Sequence, residues 1–346
     1  MESEDVLLKV YAYLAGDRSN FGDDLNRWLW SRLLGSSLDV DDGTVVLGIG
    51  TTISRELLPS AKRYIVLSSG VGYGAIPADF GGPNWEVLAV RGPLTAAVLN
   101  LSGEKAITDG AALLRLLPEC EPLPASERRG VAFMPNFERL ALGNWRQACE
   151  AAGFEFLNPF ADSEQTVQRI RRAKLVIADA MHAAIVADAL RVPWIPVVLS
   201  PQNSSFKWFD WTMSLNLPYR PTKIPASTLM EAVRNTAVRF IGPRYYFEDR
   251  NAAEAIEHYR RVARLKSRRY WPLWRWCAMK VACSIPMRIF KSAPLRGFKK
   301  RQDEERADRA AEQLRRVAEM PSYLSDEPVL MSKVEQIGSL LSLLRR

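Results

Sequence analysis

His182 is one of only two histidines among 346 residues, and its setting is that of a reactive group. It lies in Ala178-Asp179-Ala180-Met181-His182-Ala183-Ala184, where the apolar run Leu175 to Ala178 gives way to a helical pattern. Ligands of open parallel sheets bind beyond the carboxyl ends of the strands, where the first turn of the next helix offers free N–H groups to an anion. Imidazole is also the side chain whose unperturbed pKa lies nearest neutrality, which suits it to general acid or base work on a phosphorylated substrate. The plainer alternative is a histidine that caps or packs under the turn.

Four further stretches carry groups of the right type. In Asn20-Phe21-Gly22-Asp23-Asp24-Leu25-Asn26, Gly22 permits close backbone approach, Asp23 or Asp24 can accept a proton from a sugar hydroxyl, and the same two aspartates serve equally as an N-cap and a first-turn charge. Arg91 precedes Gly92-Pro93, which fixes a helix start, so its guanidinium can grip a phosphate or carboxylate through paired hydrogen bonds; a surface pairing with Asp109 or Glu86 is the alternative. Lys207 stands among aromatics in Ser205-Phe206-Lys207-Trp208-Phe209-Asp210-Trp211, as a phosphate or sugar contact or as a snorkelling lysine over a core patch. Gly48 to Gly50 and Gly70 to Gly74 are turns able to cradle oxyanions, although no P-loop pattern occurs. His258, in a charged helical stretch, reads as an ordinary exposed side chain.

The elements that must position these groups read as α/β. Strands are expected at Val6 to Leu14, Thr44 to Ile49, Tyr64 to Leu67, Val87 to Val90 and Ala106 to Thr108, with helices over Asp23 to Leu34 and from Pro93 to Leu101. Pro118 to Arg129 holds three prolines and mixed charge and reads as a linker. A second set follows: strands at Gly130 to Met134, Glu155 to Asn158, Leu175 to Ala178 and Trp194 to Val198, and helices at Trp145 to Ala152, Ser163 to Arg172 and Met181 to Leu190. The expected architecture is two Rossmann-like parallel-sheet domains, residues 1–122 and 123–250, facing a cleft. A further helix is expected at Met230 to Phe240, and residues 251–346 add a basic, aromatic-rich helical extension with helices at Ala252 to Arg269 and Glu304 to Ala318 and a looser apolar tail at Ile337 to Leu344.

Composition narrows the class. The chain is 47% hydrophobic and 25% charged, which suits a globular protein. Its four cysteines lack CxxC spacing, so neither a zinc site nor a disulfide framework is expected, and the acidic start Met1-Glu2-Ser3-Glu4-Asp5 argues against a signal peptide; a reducing cytoplasm is the simplest setting. The net charge of +8 conceals an asymmetry. Residues 260–301 hold fourteen lysines and arginines and no acid, which leaves the rest of the chain at −6.

Taken in order, the motifs resemble the polysaccharide pyruvyl transferases, in particular the bacterial exopolysaccharide branch. They are Asn20 to Asn26, Arg91-Gly92-Pro93-Leu94-Thr95, Met134-Pro135-Asn136, Asp179-Ala180-Met181-His182 with Ala187 to Trp194, and Phe206-Lys207-Trp208. The resemblance spans about Asn20 to Pro221. It implies a fold similar to GT-B glycosyltransferases and transfer of the three-carbon unit of phosphoenolpyruvate onto two hydroxyls of one sugar, with no metal or organic cofactor. Carried across, Arg91 grips the donor's anionic end, His182 binds the donor and supplies or relays a proton, and Asp23 and Asp24 assist the acceptor hydroxyl. Asn20, Gly22, Asn136 and Met181 complete the substrate contacts. Two departures stand out: many relatives have arginine where this chain has Ala180, which puts Lys207 forward as the replacement cation, and often histidine where Asn136 stands.

Between Tyr270 and Phe290, Trp271, Trp274 and Trp276 alternate with Arg275, Lys280 and Arg288 and with Pro272 and Pro286. Charges and prolines argue against a spanning helix and for an interfacial segment on anionic lipid, which suits a lipid-linked oligosaccharide acceptor at the inner face of the cytoplasmic membrane. A solvated basic helix on the body is the other reading, and the acidic remainder argues against nucleic acid. Two rival functions remain at this point: a GT-B type glycosyltransferase using a nucleotide sugar, and a non-catalytic, membrane-associated assembly subunit.

Overall fold

A computed structural model describes residues 9–12, 19–35, 43–241, 249–290, 292 and 295–344. Met1 to Asp5 and the outer parts of the Val6 to Leu14 strand expectation lie outside the described residues. Two parallel sheets organise the chain. The first has the order β1 (Lys9–Val10), β2 (Thr44–Leu47), β3 (Arg63–Leu67), β4 (Trp85–Ala89). The second is built from β5 (Arg129–Met134), β6 (Glu155–Phe156), β7 (Ala173–Ala178), β8 (Trp194–Val198) and β9 (Thr222–Lys223), in the order β6-β5-β7-β8-β9. Every ladder within them is parallel. Buried runs such as Thr44–Leu47 suit strands covered on both faces.

The helices of the first half are few and short. Asp23 to Leu34 is a broken helix, α1 (Phe21–Asp24), a 3-10 turn and α2 (Leu29–Leu34), and α3 (Pro93–Val98) starts at the proline as expected. The crossovers β2 to β3 and β3 to β4 carry no helix; glycine-rich chain spans them, so this half departs from strict strand–helix alternation. Ala106 to Thr108 makes only a single bridge, Val90 to Ala106, and leads into a 3-10 helix, Gly110–Leu116, capped by Asp109.

The second half follows the expected order: α4 (Trp145–Ala152), α5 (Ser163–Arg172), α6 (Met181–Ala189), then α7 (Ser205–Ser214) and α8 (Leu229–Ile241). The order reverses between β5 and β7, because β6 lies on one side of β5 and β8 on the far side of β7. Such a switch point opens a crevice at the strands' carboxyl ends, where Asn136 and His182 lie. One apolar core runs through both halves, and α6 packs on the 3-10 helix Gly110–Leu116.

The C-terminal helices are α9 (Ala252–Lys266), α10 (Trp271–Met279), a π-helical turn (Lys280–Ser284), α11 (Ile285–Phe290), α12 (Arg296–Ala318) and α13 (Glu327–Leu340). α12 buries Ala310, Ala311, Leu314 and Val317 against α4 and the second sheet. The apolar tail expected to be loose is docked on the chain's own body: Leu330, Val334 and Ile337 pack beside Gly110–Leu116, and Leu341 and Leu344 are buried. The alternating apolar spacing of α13 supplies that face.

A fully buried ion pair joins the halves. Arg91 donates through Nε to Asp210 of α7 at 2.9 Å, through one terminal nitrogen to the Gly50 carbonyl (3.3 Å) and Thr51 Oγ1 (2.9 Å), and through the other to the Val71 carbonyl (2.7 Å). Asp210 also accepts from the Thr95 N–H at 2.8 Å and the Thr95 hydroxyl at 2.6 Å. Removing one partner of such a pair strands the other charge in the core. Arg91→Met is expected to lower unfolding free energy by about 3–5 kcal/mol in urea titration; an unchanged denaturation midpoint would contradict this structural role.

Candidate active site

One cavity of about 230 Å³ gathers most of the sequence-predicted residues: Asn20, Gly22, Asp23, Asn136, Met181, His182 and Lys207. Its wall is completed by Thr51 and Thr52 after β2, Tyr73 after β3, Glu138 after β5 and Ala180 after β7. Both sheets therefore deliver the chain beyond their carboxyl ends to the same opening. Arg91 and Asp24 are not part of that wall. Arg91 lies immediately behind it, holding Gly50 and Thr51, and all three guanidinium nitrogens are engaged within the protein. Its partner is Asp210, not the Asp109 or Glu86 considered from sequence. Asp24 accepts from the Ser163 hydroxyl at 2.8 Å and pairs with Arg27 at 3.4 Å.

His182 sits in the first turn of α6, its Nε2 3.6 Å from Asp109 Oδ2. That carboxylate is fully buried, and its other oxygen accepts from the Ala111 N–H at 3.0 Å as the cap of the 3-10 helix. The opposite edge of the ring rests on Gly22: a Cβ built there would stand 1.8 Å from Nδ1. The imidazole is thus held between a carboxylate and a bare backbone. Asp109 was considered from sequence only as a surface partner of Arg91, although its place before a glycine at the end of a strand-like run was a usable signal for a site residue.

Asp23 is buried, and burial raises its carboxyl above the ordinary value of 3.8, while His182, Asn20 and Lys207 act in the opposite direction. Asn20 donates to its side chain and accepts from its backbone N–H at 3.5 Å. Gly50, with φ of +115°, brings the backbone past the Asp23 carboxyl, and any Cβ there would meet it at 3.0 Å. Lys207 projects from α7, whose neighbours Phe206, Trp208 and Trp211 are buried. Its stem lies on Gly72, where a Cβ would come within 2.6 Å of Cγ, and its ammonium donates to the Tyr73 hydroxyl and stands 4.3 Å from the Tyr73 ring centre. That helix and Tyr73 were not part of the sequence expectation.

Asn136 turns its side chain to its own backbone, accepting from Glu138 N–H at 3.0 Å, while its N–H donates to Asp179 at 3.0 Å. Asp179 also accepts from Leu199 N–H at 3.2 Å and so ties together the ends of β5, β7 and β8. His258 differs from expectation: it is mostly buried, with Nδ1 3.3 Å from Asp249, and lines a neighbouring cavity.

A polysaccharide pyruvyl transferase family model matches residues 127–201, the stretch that holds Asn136, Asp179, Met181 and His182. The chain is also 40% identical over 235 residues to the succinoglycan biosynthesis protein ExoV of Rhizobium meliloti (strain 1021), a match that covers 68% of this chain and 73% of that protein. The chain belongs to the polysaccharide pyruvyl transferase family. In this family member, Ala180 lines the cavity directly, and Lys207 reaches the same space from another element, through α7.

Two outcomes test this geometry. Because the chain has only two histidines, its imidazole resonances are readily separated by NMR: Gly22→Ala should displace the His182 signals and leave those of His258 in place. Unmoved His182 signals would refute the contact. For Asp23, a carboxyl with raised folded-state proton affinity favours folding fully below pH 3.8 and loses that contribution as pH rises through its folded value. Asp23→Asn should therefore gain stability over wild type in urea titrations, the gain growing as pH rises above 3.8 and levelling off above the folded value.

Proposed function

We propose that this protein is a ketal-forming pyruvyl transferase that takes phosphoenolpyruvate as donor and a sugar of a lipid-linked exopolysaccharide repeat unit as acceptor. The observation that carries this reading is the convergence of His182, Asp23 and Lys207 on one cavity at the carboxyl ends of two parallel sheets. Family membership and the succinoglycan role in the name of the Rhizobium relative support the reaction class and the pathway class. The arrangement supports two Rossmann-like units facing a cleft in the manner of GT-B enzymes, with the donor in that cleft.

The chemistry follows from the groups. His182, charged, delivers its proton to the methylene carbon of phosphoenolpyruvate, and positive charge develops at C2. Asp109, 3.6 Å from Nε2 and not hydrogen-bonded to it, stabilises the imidazolium by its charge. A sugar hydroxyl adds to C2 and yields its proton to Asp23. The C2–O bond to phosphate then breaks, Lys207 and the first-turn N–H groups of α6 hold the departing anion, and the second hydroxyl closes the ketal, its proton leaving with phosphate. No step calls for a metal or an organic cofactor.

Arg91 enters this scheme as a positioning residue: it fixes Gly50 and Thr51 in the cavity wall without meeting the donor. The acceptor's lipid carrier places the enzyme on the cytoplasmic face of the membrane. Exposed Leu273, Trp276, Val281, Ile285 and Ile289, beside the cations of residues 260–301, support an interfacial seat on anionic lipid. Among the described residues no helix is long and apolar enough to cross a membrane.

Incubation with phosphoenolpyruvate and a lipid-linked oligosaccharide should release phosphate and give a product heavier by pyruvate less one water. A hexose increment from a nucleotide sugar instead would establish glycosyl transfer, and no product from either donor would leave an assembly role. His182→Gln should slow phosphate release by about 10²–10⁴-fold with an unchanged melting temperature; wild-type rates would remove His182 from the mechanism.

A further inference from the structure

Beside the candidate active site runs a larger open groove of about 970 Å³, floored by α10, the π-helical turn and α11. Arg55, Lys266, Arg275, Lys280 and Arg288 line it, with Glu56 the one acid of the lining. Glu56 pairs with Arg55 at 3.2 Å, and Lys280 lies over the Trp276 ring at 4.4 Å. Among the described residues, Lys266, Arg275 and Arg288 have no ion-pair partner. Burial, and then the neighbouring Arg275 charge, push the Lys266 ammonium below the usual lysine range. Five lining cations against one lining carboxylate, with Glu138 also near Lys266, leave net repulsion that a polyvalent anion relieves.

Two features identify the kind of anion. Tyr73 and Leu57 line both the groove and the cavity that holds His182, so a long molecule can lie in both. The groove rim is also apolar: Trp276 and Ile285 line it and are exposed, and Leu273, Val281 and Ile289 continue the same exposed apolar surface.

We propose that this groove binds the diphosphate head of an isoprenoid-linked acceptor, with Lys266, Arg275 and Arg288 on the phosphates, the tail on the exposed apolar rim, and the sugars directed past Tyr73 to His182. The inference rests on the pyruvyl-transfer reading for its acceptor, while the groove and its charge stand independently of it. A nucleoside diphosphate offers the same phosphate chemistry without the tail, so the two sources are separable.

Isothermal titration of the full chain with farnesyl diphosphate, UDP and phosphoenolpyruvate tests it. Farnesyl diphosphate should bind the wild type more tightly than UDP. Lys266→Met, or the exposed charge reversal Arg275→Glu, should weaken farnesyl diphosphate at least about tenfold, as expected when a phosphate loses a charged partner, and leave phosphoenolpyruvate affinity unchanged. Equal farnesyl diphosphate affinity in wild type and both variants, or tighter UDP binding lost in the same variants, would overturn the assignment. If phosphoenolpyruvate fails to bind the wild type while farnesyl diphosphate binds as stated, the donor reading falls and the groove assignment remains.

Discussion

The buried pairing of Arg91 with Asp210 is the constraint on which the cavity depends. A guanidinium and a carboxylate with no exposed surface are tolerable only when every polar atom finds a partner. Arg91 meets that demand by taking the carbonyls of Gly50 and Val71 and the Thr51 hydroxyl, so its own satisfaction fixes the chain after β2 and after β3. Asp210 meets it by taking Thr95 at the start of α3, and so draws α7 against the first half of the chain. Lys207, one turn before Asp210, is aimed by the same contact. Charged groups behind the cavity wall thereby set the position of one that lines it.

Glycines make these approaches possible. Gly22 admits the His182 ring, Gly70 the Arg91 guanidinium and Gly72 the Lys207 stem, each at a distance that a methyl group would occupy. Of the glycine-rich turns read from sequence as able to cradle oxyanions, Gly70 and Gly72 seat the cationic side chains of Arg91 and Lys207, whereas Gly50 lies against the Asp23 carboxyl and Gly74 against Glu56.

This explains which parts were legible in the sequence. The second half followed local periodicity closely: Trp145–Ala152 and Ser163–Arg172 were read to the residue, because amphipathic spacing and the caps at Asp162 and Gly153 mark them. His182, Asp23, Gly22 and Asn20 were legible because each follows a strand-like run. Arg91 was legible as important but not as buried, since its partner lies 119 positions away in a helix whose aromatic residues concealed its amphipathic pattern. Asp109 was read only as a surface partner for Arg91, because the side chain it faces, His182, lies 73 positions later at the end of a different strand. The docked tail was missed for a related reason: the apolar face of α13 is evident locally, but its receptor, Gly110–Leu116, lies more than two hundred residues earlier.

The proposed proton transfers are coupled through the same geometry. Burial raises the proton affinity of Asp23, and the charges of His182 and Lys207 oppose that rise. When His182 passes its proton to the donor it loses its charge, and one of the two cations that restrained Asp23 disappears. The basicity of Asp23 then rises at the step in which the acceptor hydroxyl must lose its proton. Lys207 keeps its charge throughout and remains for the departing phosphate. In the proposed scheme, two groups with opposed electrostatic demands in one cavity thus place the acid step before the base step.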